Sequence, residues 1–159
     1  MIARVVATVG GVGNLPGAPG TWGSLAAIPL TVGLHWIGEA PFVVGVTILL
    51  FALGWWSASR HPGSDGGDPS EIVIDEVVGQ MIALWPLSIG LWLSDAPSNV
   101  FPWPGWVGGF LMFRFFDIVK PPPVSWVDRP GALWIMLDDV VAGALAAAVV
   151  LLAAGIAHG

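Results

Sequence analysis

The chain has no cysteine and no tyrosine, and of its 159 residues only five are Lys or Arg and eleven Asp or Glu. The missing cysteines exclude disulfides, zinc–thiolate centres and thiol nucleophiles. The shortage of basic residues, with a formal charge of −6, excludes the basic face that nucleic acid requires. At 10% charged residues, against about 25% in a soluble domain, the chain cannot coat itself with solvated side chains. What is present instead is apolar. Hydrophobic residues make up 55% of the sequence and mean hydropathy is +0.81. Ten tryptophans supply amphipathic rings for a membrane interface.

A bilayer crossing takes about 20 apolar residues. Five stretches are candidates: 24–38, 41–58, 71–93, 105–120 and 131–158. The first and fourth are short. Residues 1–9 suit an interfacial helix, and Arg4 with the brief apolar run before Gly10 lacks the form of a cleavable signal. The stretches 60–70, 94–104 and 120–130 are rich in Pro or Gly and read as loops. The expectation is an all-α, polytopic membrane helix bundle of about five spanning or partly spanning helices. It forms a single membrane-embedded domain over residues 1–159, with a Gly/Pro-rich N-terminal loop. Nothing in the sequence sets an oligomeric state.

Basic residues mark cytoplasmic connections. Five crossings with the N-terminus inside place Arg4, Arg60, Lys120 and Arg129 on one side, and leave the connections around Glu39 and Asp95 outside. The acids inside the apolar stretches then converge. "IVIDEVVG" places Asp75 and Glu76 early in the third helix. "FRFFDIVKPPP" places Arg114, Asp117 and Lys120 at the end of the fourth. "IMLDDVVAG" places Asp138 and Asp139 in the fifth. Charges at such depth are costly and mark function. By helix rise, all lie in one shallow layer beneath the cytoplasmic surface.

Five carboxylates in one layer repel. A hard divalent cation, Mg²⁺, which takes oxygen ligands, resolves the repulsion, with Asp75, Glu76, Asp138 and Asp139 as expected ligands. Adjacent Asp138 and Asp139 project about 100° apart, so one can face a metal while the other takes a second metal or a basic partner. Arg114, Asp117 and Lys120 are spaced at three, and simple ion pairing among them is the competing reading. Gly79 and Gly143 each follow an acid by four and allow close helix approach. The stretch "GAPGTWGS", residues 17–24, lies on the same side. Its amides, with the Thr21 and Ser24 hydroxyls, suit a phosphate; equally, it suits a re-entrant turn with Ser24 capping the next helix. His35 falls at the external end, His158 at the chain end, and His61 in a polar loop.

Three blocks, "PGAPGTWGSLAAIP", "IVIDEVVGQMIAL" and "FRFFDIVKPPPVSWVDR" with "IMLDDVVAG", resemble the phosphatidylglycerophosphatase A family of bacterial inner-membrane lipid phosphatases. The resemblance implies Mg²⁺-dependent hydrolysis of phosphatidylglycerophosphate to phosphatidylglycerol, within phospholipid synthesis. Carried over by position, the functional residues are Thr21, Ser24, Asp75, Glu76, Asp117, Lys120, Asp128, Asp138 and Asp139. In the resulting assignment Asp117, Lys120, Asp138 and Asp139 are catalytic. Gly20, Thr21, Gly23, Ser24, Arg114, Lys120, Asp128 and Arg129 bind substrate. Water attack and an aspartyl nucleophile are both open to this set. The rival class, an ion-coupled transporter or channel subunit, predicts acids spread through the bilayer depth.

Overall fold

The computed structural model describes residues 1–61, 69–97, 100 and 102–158; most of the expected 60–70 loop and part of the 94–104 loop lie outside them. The element order is α1 (Ile2–Ala7), a 3₁₀ turn (Val12–Asn14), α2 (Pro19–Ala58), α3 (Ile74–Leu93), α4 (Trp103–Val119), α5 (Val124–Val127) and α6 (Ala132–His158). All described regular structure is helical.

α2 runs for 40 residues but is broken at Gly38 and Glu39, whose dihedrals are non-helical. The two halves fold back on each other. Gly23 lies against Val73 and Gly54 against Ile74, so the start and end of α2 both meet the beginning of α3. At the other end, His35 Nδ1 and Ser88 Oγ share a hydrogen bond of 2.8 Å. These two halves are the first and second expected helices. The start differs from expectation: α2 begins at Pro19, not Ser24. Proline at the first helical position has its φ preset and no amide to leave unpaired. Ser24 is therefore interior and caps nothing; its hydroxyl donates to Gly20 O at 2.9 Å.

α3 is the most enclosed of the long helices. Val77, Val78, Met81, Ala83 and Leu84 are buried, and α2, α4 and α6 surround it. α3 and α6 meet at glycine: a side chain on Gly143 would run into the Gly79 carbonyl, and one on Gly79 would come within 2.6 Å of Asp139 O. The two backbones touch there.

Among the described residues, three helices are long and apolar enough to cross a membrane: α2, α3 and α6. α2 alone has the length of two crossings. α4, at 17 residues, stands at the lower limit of about 17. Outward-facing side chains are apolar, among them Leu49, Leu111 and Leu152. Exposed tryptophans sit at element ends: Trp22, Trp36, Trp55, Trp56, Trp92, Trp103 and Trp126. An apolar surface between aromatic ends is the pattern of a protein solvated by lipid.

Candidate active site

Asp75 and Glu76 occupy the first turn of α3, where unpaired amides and the helix dipole favour negative charge. They lie nearer the helix start than expected, because α3 begins at Ile74 rather than Glu71. Asp139 reaches them from α6 through the Gly79–Gly143 contact. One carboxylate oxygen from each of Asp75, Glu76 and Asp139 lies within 4.8 Å of the others. Asp75 and Asp139 are buried and Glu76 is half-buried.

Asp138, expected with them, is placed apart. Its Oδ2 accepts from Lys120 Nζ at 2.7 Å, and its Oδ1 accepts from the Asp139 amide at 3.0 Å. Successive helical residues project about 100° apart, so Asp138 and Asp139 part company. Lys120 also donates to Asp128 Oδ1 at 2.8 Å. Lys120 ends α4 in a left-handed conformation, φ 47°, which is uncommon for a residue with a Cβ. That turn swings its ammonium from α4 toward α6. Burial lowers the affinity of Lys120 for its proton, but the hydrogen bonds and charges of Asp128 and Asp138 outweigh it and raise the pKa above the ordinary lysine range. The ammonium is held charged.

Asp117 stands beside Asp139 and pairs with Arg114 at 2.7 Å. The Arg114–Asp117 ion pair foreseen from the three-residue spacing is thus present, and it borders the carboxylate cluster. Arg114 Nη1 reaches Ser24 Oγ at 3.4 Å. Its buried Nε has no hydrogen-bond partner among the described residues. Gly20 packs against the Glu76 carboxylate and lies 3.3 Å from Arg114 Nη1, measured from the position a Cβ would take. Gly20, Thr21, Gly23 and Ser24 are therefore the opening turns of a helix rather than a loop, with Gly20 and Thr21 supplying amides at its start.

Two residues fall outside this arrangement. Arg129 is exposed, its guanidinium 5.0 Å from the Trp134 ring centre, as suits a surface anchor. His61 lies with Glu71 at 2.8 Å, and Glu71 in turn takes Arg4 at 3.2 Å.

The centre combines six carboxylates, Asp75, Glu76, Asp117, Asp128, Asp138 and Asp139, with two cationic side chains, Arg114 and Lys120. Such an excess of negative charge at the edge of an apolar body is relieved by proton uptake or by positive charge from outside the chain. Clustered carboxylate oxygens fit a hard divalent cation. The partnerless Arg114 Nε and the Gly20 and Thr21 amides fit an anion beside it.

A model of the phosphatidylglycerophosphatase A family matches residues 5–154, nearly the whole chain. The chain belongs to that family. It is 35% identical to phosphatidylglycerophosphatase A of Escherichia coli K12 over 147 residues, covering 87% of this chain and 76% of the relative. The Haemophilus influenzae phosphatidylglycerophosphatase A is 37% identical over 144 residues, 88% of this chain and 81% of the relative. A Bacteroides thetaiotaomicron protein, provisionally named phosphatidylinositol-3-phosphatase, is 33% identical over 144 residues, with 87% and 85% covered. No solved structure matches the chain. As a member of the phosphatidylglycerophosphatase A family the chain is a lipid phosphatase, a phosphoric monoester hydrolase.

The core of α3 also holds a side-chain amide. Gln80 is fully buried, and the only cue was its position one turn beyond Glu76.

Proposed function

We propose that this phosphatase hydrolyses phosphatidylglycerophosphate to phosphatidylglycerol and phosphate, on the cytoplasmic side of a bacterial inner membrane. It does so with Mg²⁺ held by Asp75, Glu76 and Asp139. The observation that carries the reading is the oxygen cluster of those three residues, flanked by Arg114 and Lys120, at one end of the bundle. A headgroup phosphate lies at that depth when its acyl chains follow the apolar helix faces. Five crossings with the N-terminus inside put this end in the cytoplasm.

Bound there, Mg²⁺ supplies charge neutralisation of phosphoryl oxygens and lowers the pKa of water. The chain's own groups do the rest. Arg114 and Lys120 take the terminal phosphoryl oxygens, and the Gly20 and Thr21 amides face the same charge. Asp117, between Arg114 and Asp139, orients the guanidinium and accepts the proton of the attacking water. The water oxygen bonds to phosphorus, the phosphorus–oxygen bond to glycerol breaks, and the departing alkoxide takes up the proton that Asp117 accepted. Asp128 and Asp138 keep Lys120 charged and in place.

The transporter alternative finds less support. The other acids near membrane depth, Glu39 and Asp95, lie at the opposite end, and Val77, Met81 and Leu84 fill the interior between. Phosphate release by the purified protein tests the reading. Phosphatidylglycerophosphate micelles are expected to release phosphate with Mg²⁺. Chelation, or Asp139→Asn, is expected to reduce the rate at least about 10²-fold. Release from phosphatidylinositol 3-phosphate alone would overturn the substrate; undiminished release under chelation would overturn the cation.

A further inference from the structure

Gln80 lies in the second turn of the most enclosed helix and is fully buried. Neither its Oε1 nor its Nε2 has a hydrogen-bond partner among the described residues. A buried amide that stays unsatisfied is a standing cost, and native proteins seldom keep one without use. The helix register shows what it can serve. Residues three and four away share its face. Toward the C-terminus these are Ala83 and Leu84, and toward the N-terminus Val77 and Glu76. Val77, Ala83 and Leu84 are buried and apolar. Long side chains on a helix lean toward its N-terminus, and the N-terminal end of α3 is the end that carries Glu76 and the carboxylate cluster.

We infer that Gln80 is a positioning residue of the cation site, acting from behind Glu76. Its Oε1 accepts from a water that the cation retains, and its NH₂ donates to a second such water behind Glu76. Mg²⁺ usually keeps several waters, and a side-chain amide offers the donor and the acceptor this requires. The inference rests on the proposed cation site. It differs from that proposal in assigning a role to a residue that touches neither metal nor phosphate.

The test uses Mn²⁺ as a spectroscopic probe on the purified full chain, with affinity read by electron paramagnetic resonance and unfolding followed without added cation. Gln80→Met and Gln80→Leu remove both polar atoms at similar volume. The expected result is unchanged or raised thermal stability without cation, together with Mn²⁺ binding weakened at least tenfold, as loss of an outer-shell partner does. Unchanged affinity in both variants, with Asp139→Asn abolishing binding, would overturn the role of Gln80 and leave the cation site standing. Loss of the fold in both variants without cation would show the amide already satisfied within the protein, and would also overturn it. No Mn²⁺ binding by the wild type would remove the cation site and this inference together.

Discussion

Asp138 and Asp139 are adjacent in sequence and different in surroundings. Asp139 joins Asp75 and Glu76; Asp138 binds Lys120. The 3.6-residue repeat made this parting foreseeable, but the partner of each was not, since Lys120 reaches α6 only through its left-handed turn at the end of α4. Sequence spacing allowed Asp117 to pair with either Arg114 or Lys120, and the structure pairs it with Arg114. Lys120 also sets a pH expectation. A lysine whose pKa is raised by folding contributes stability in full below its ordinary value, about 10.4. That contribution is lost only as pH rises through the still higher folded value. No alkaline loss of activity below about pH 10 is therefore expected from Lys120. A pH–rate profile checks this: Lys120→Met should lower kcat by about 10²-fold or more across the range, without moving an alkaline limb.

At the scale of elements, α3 and α6 were legible because long apolar runs carry their acids near one end and small residues on the contact face. The contact proved to be backbone on backbone, at Gly79 and Gly143. A methyl group on Gly143 has nowhere to go without separating the helices. Gly143→Ala is expected to destabilise the protein by about 1–3 kcal/mol, read by thermal unfolding in detergent. It should also lower activity by more than the folded fraction explains, because the same displacement moves Asp139 from Asp75. The start of α2 was not legible. Gly20, Thr21 and Gly23 read as loop because glycine and proline punctuate loops, but Pro19 at the first helical position extended the helix through them. Gln80 was equally hidden: a glutamine inside an apolar helix has no sequence signature until its burial is known.

For the whole molecule, composition alone dictated lipid as solvent, and the exposed leucines and end-placed tryptophans agree. The number of crossings rests on α4, shorter than α3 or α6 and charged at one end. The absence of cysteine makes topology directly measurable, because any introduced thiol is the sole one. With five crossings and the N-terminus inside, the exposed positions Ser59→Cys and Ser125→Cys should resist a membrane-impermeant maleimide on intact cells and react after permeabilisation. Ser94→Cys should react on intact cells. Labelling of all three from outside would overturn the orientation.

The backbone contact between α3 and α6 has a consequence for ion size. Side chains that hold a metal from flexible loops can open or close around different radii. Here the two helices bearing Asp75, Glu76 and Asp139 are already at closest approach, so the gap between their carboxylates behaves as a fixed caliper. Ca²⁺ prefers oxygen distances of about 2.3–2.6 Å and six to eight ligands, whereas Mg²⁺ takes about 2.0–2.1 Å with near-octahedral order. In the proposed cation site this gap is set by backbone contact rather than by loop adjustment, so discrimination between the two ions is expected to follow radius rather than charge and to change when Gly79 or Gly143 gains a side chain.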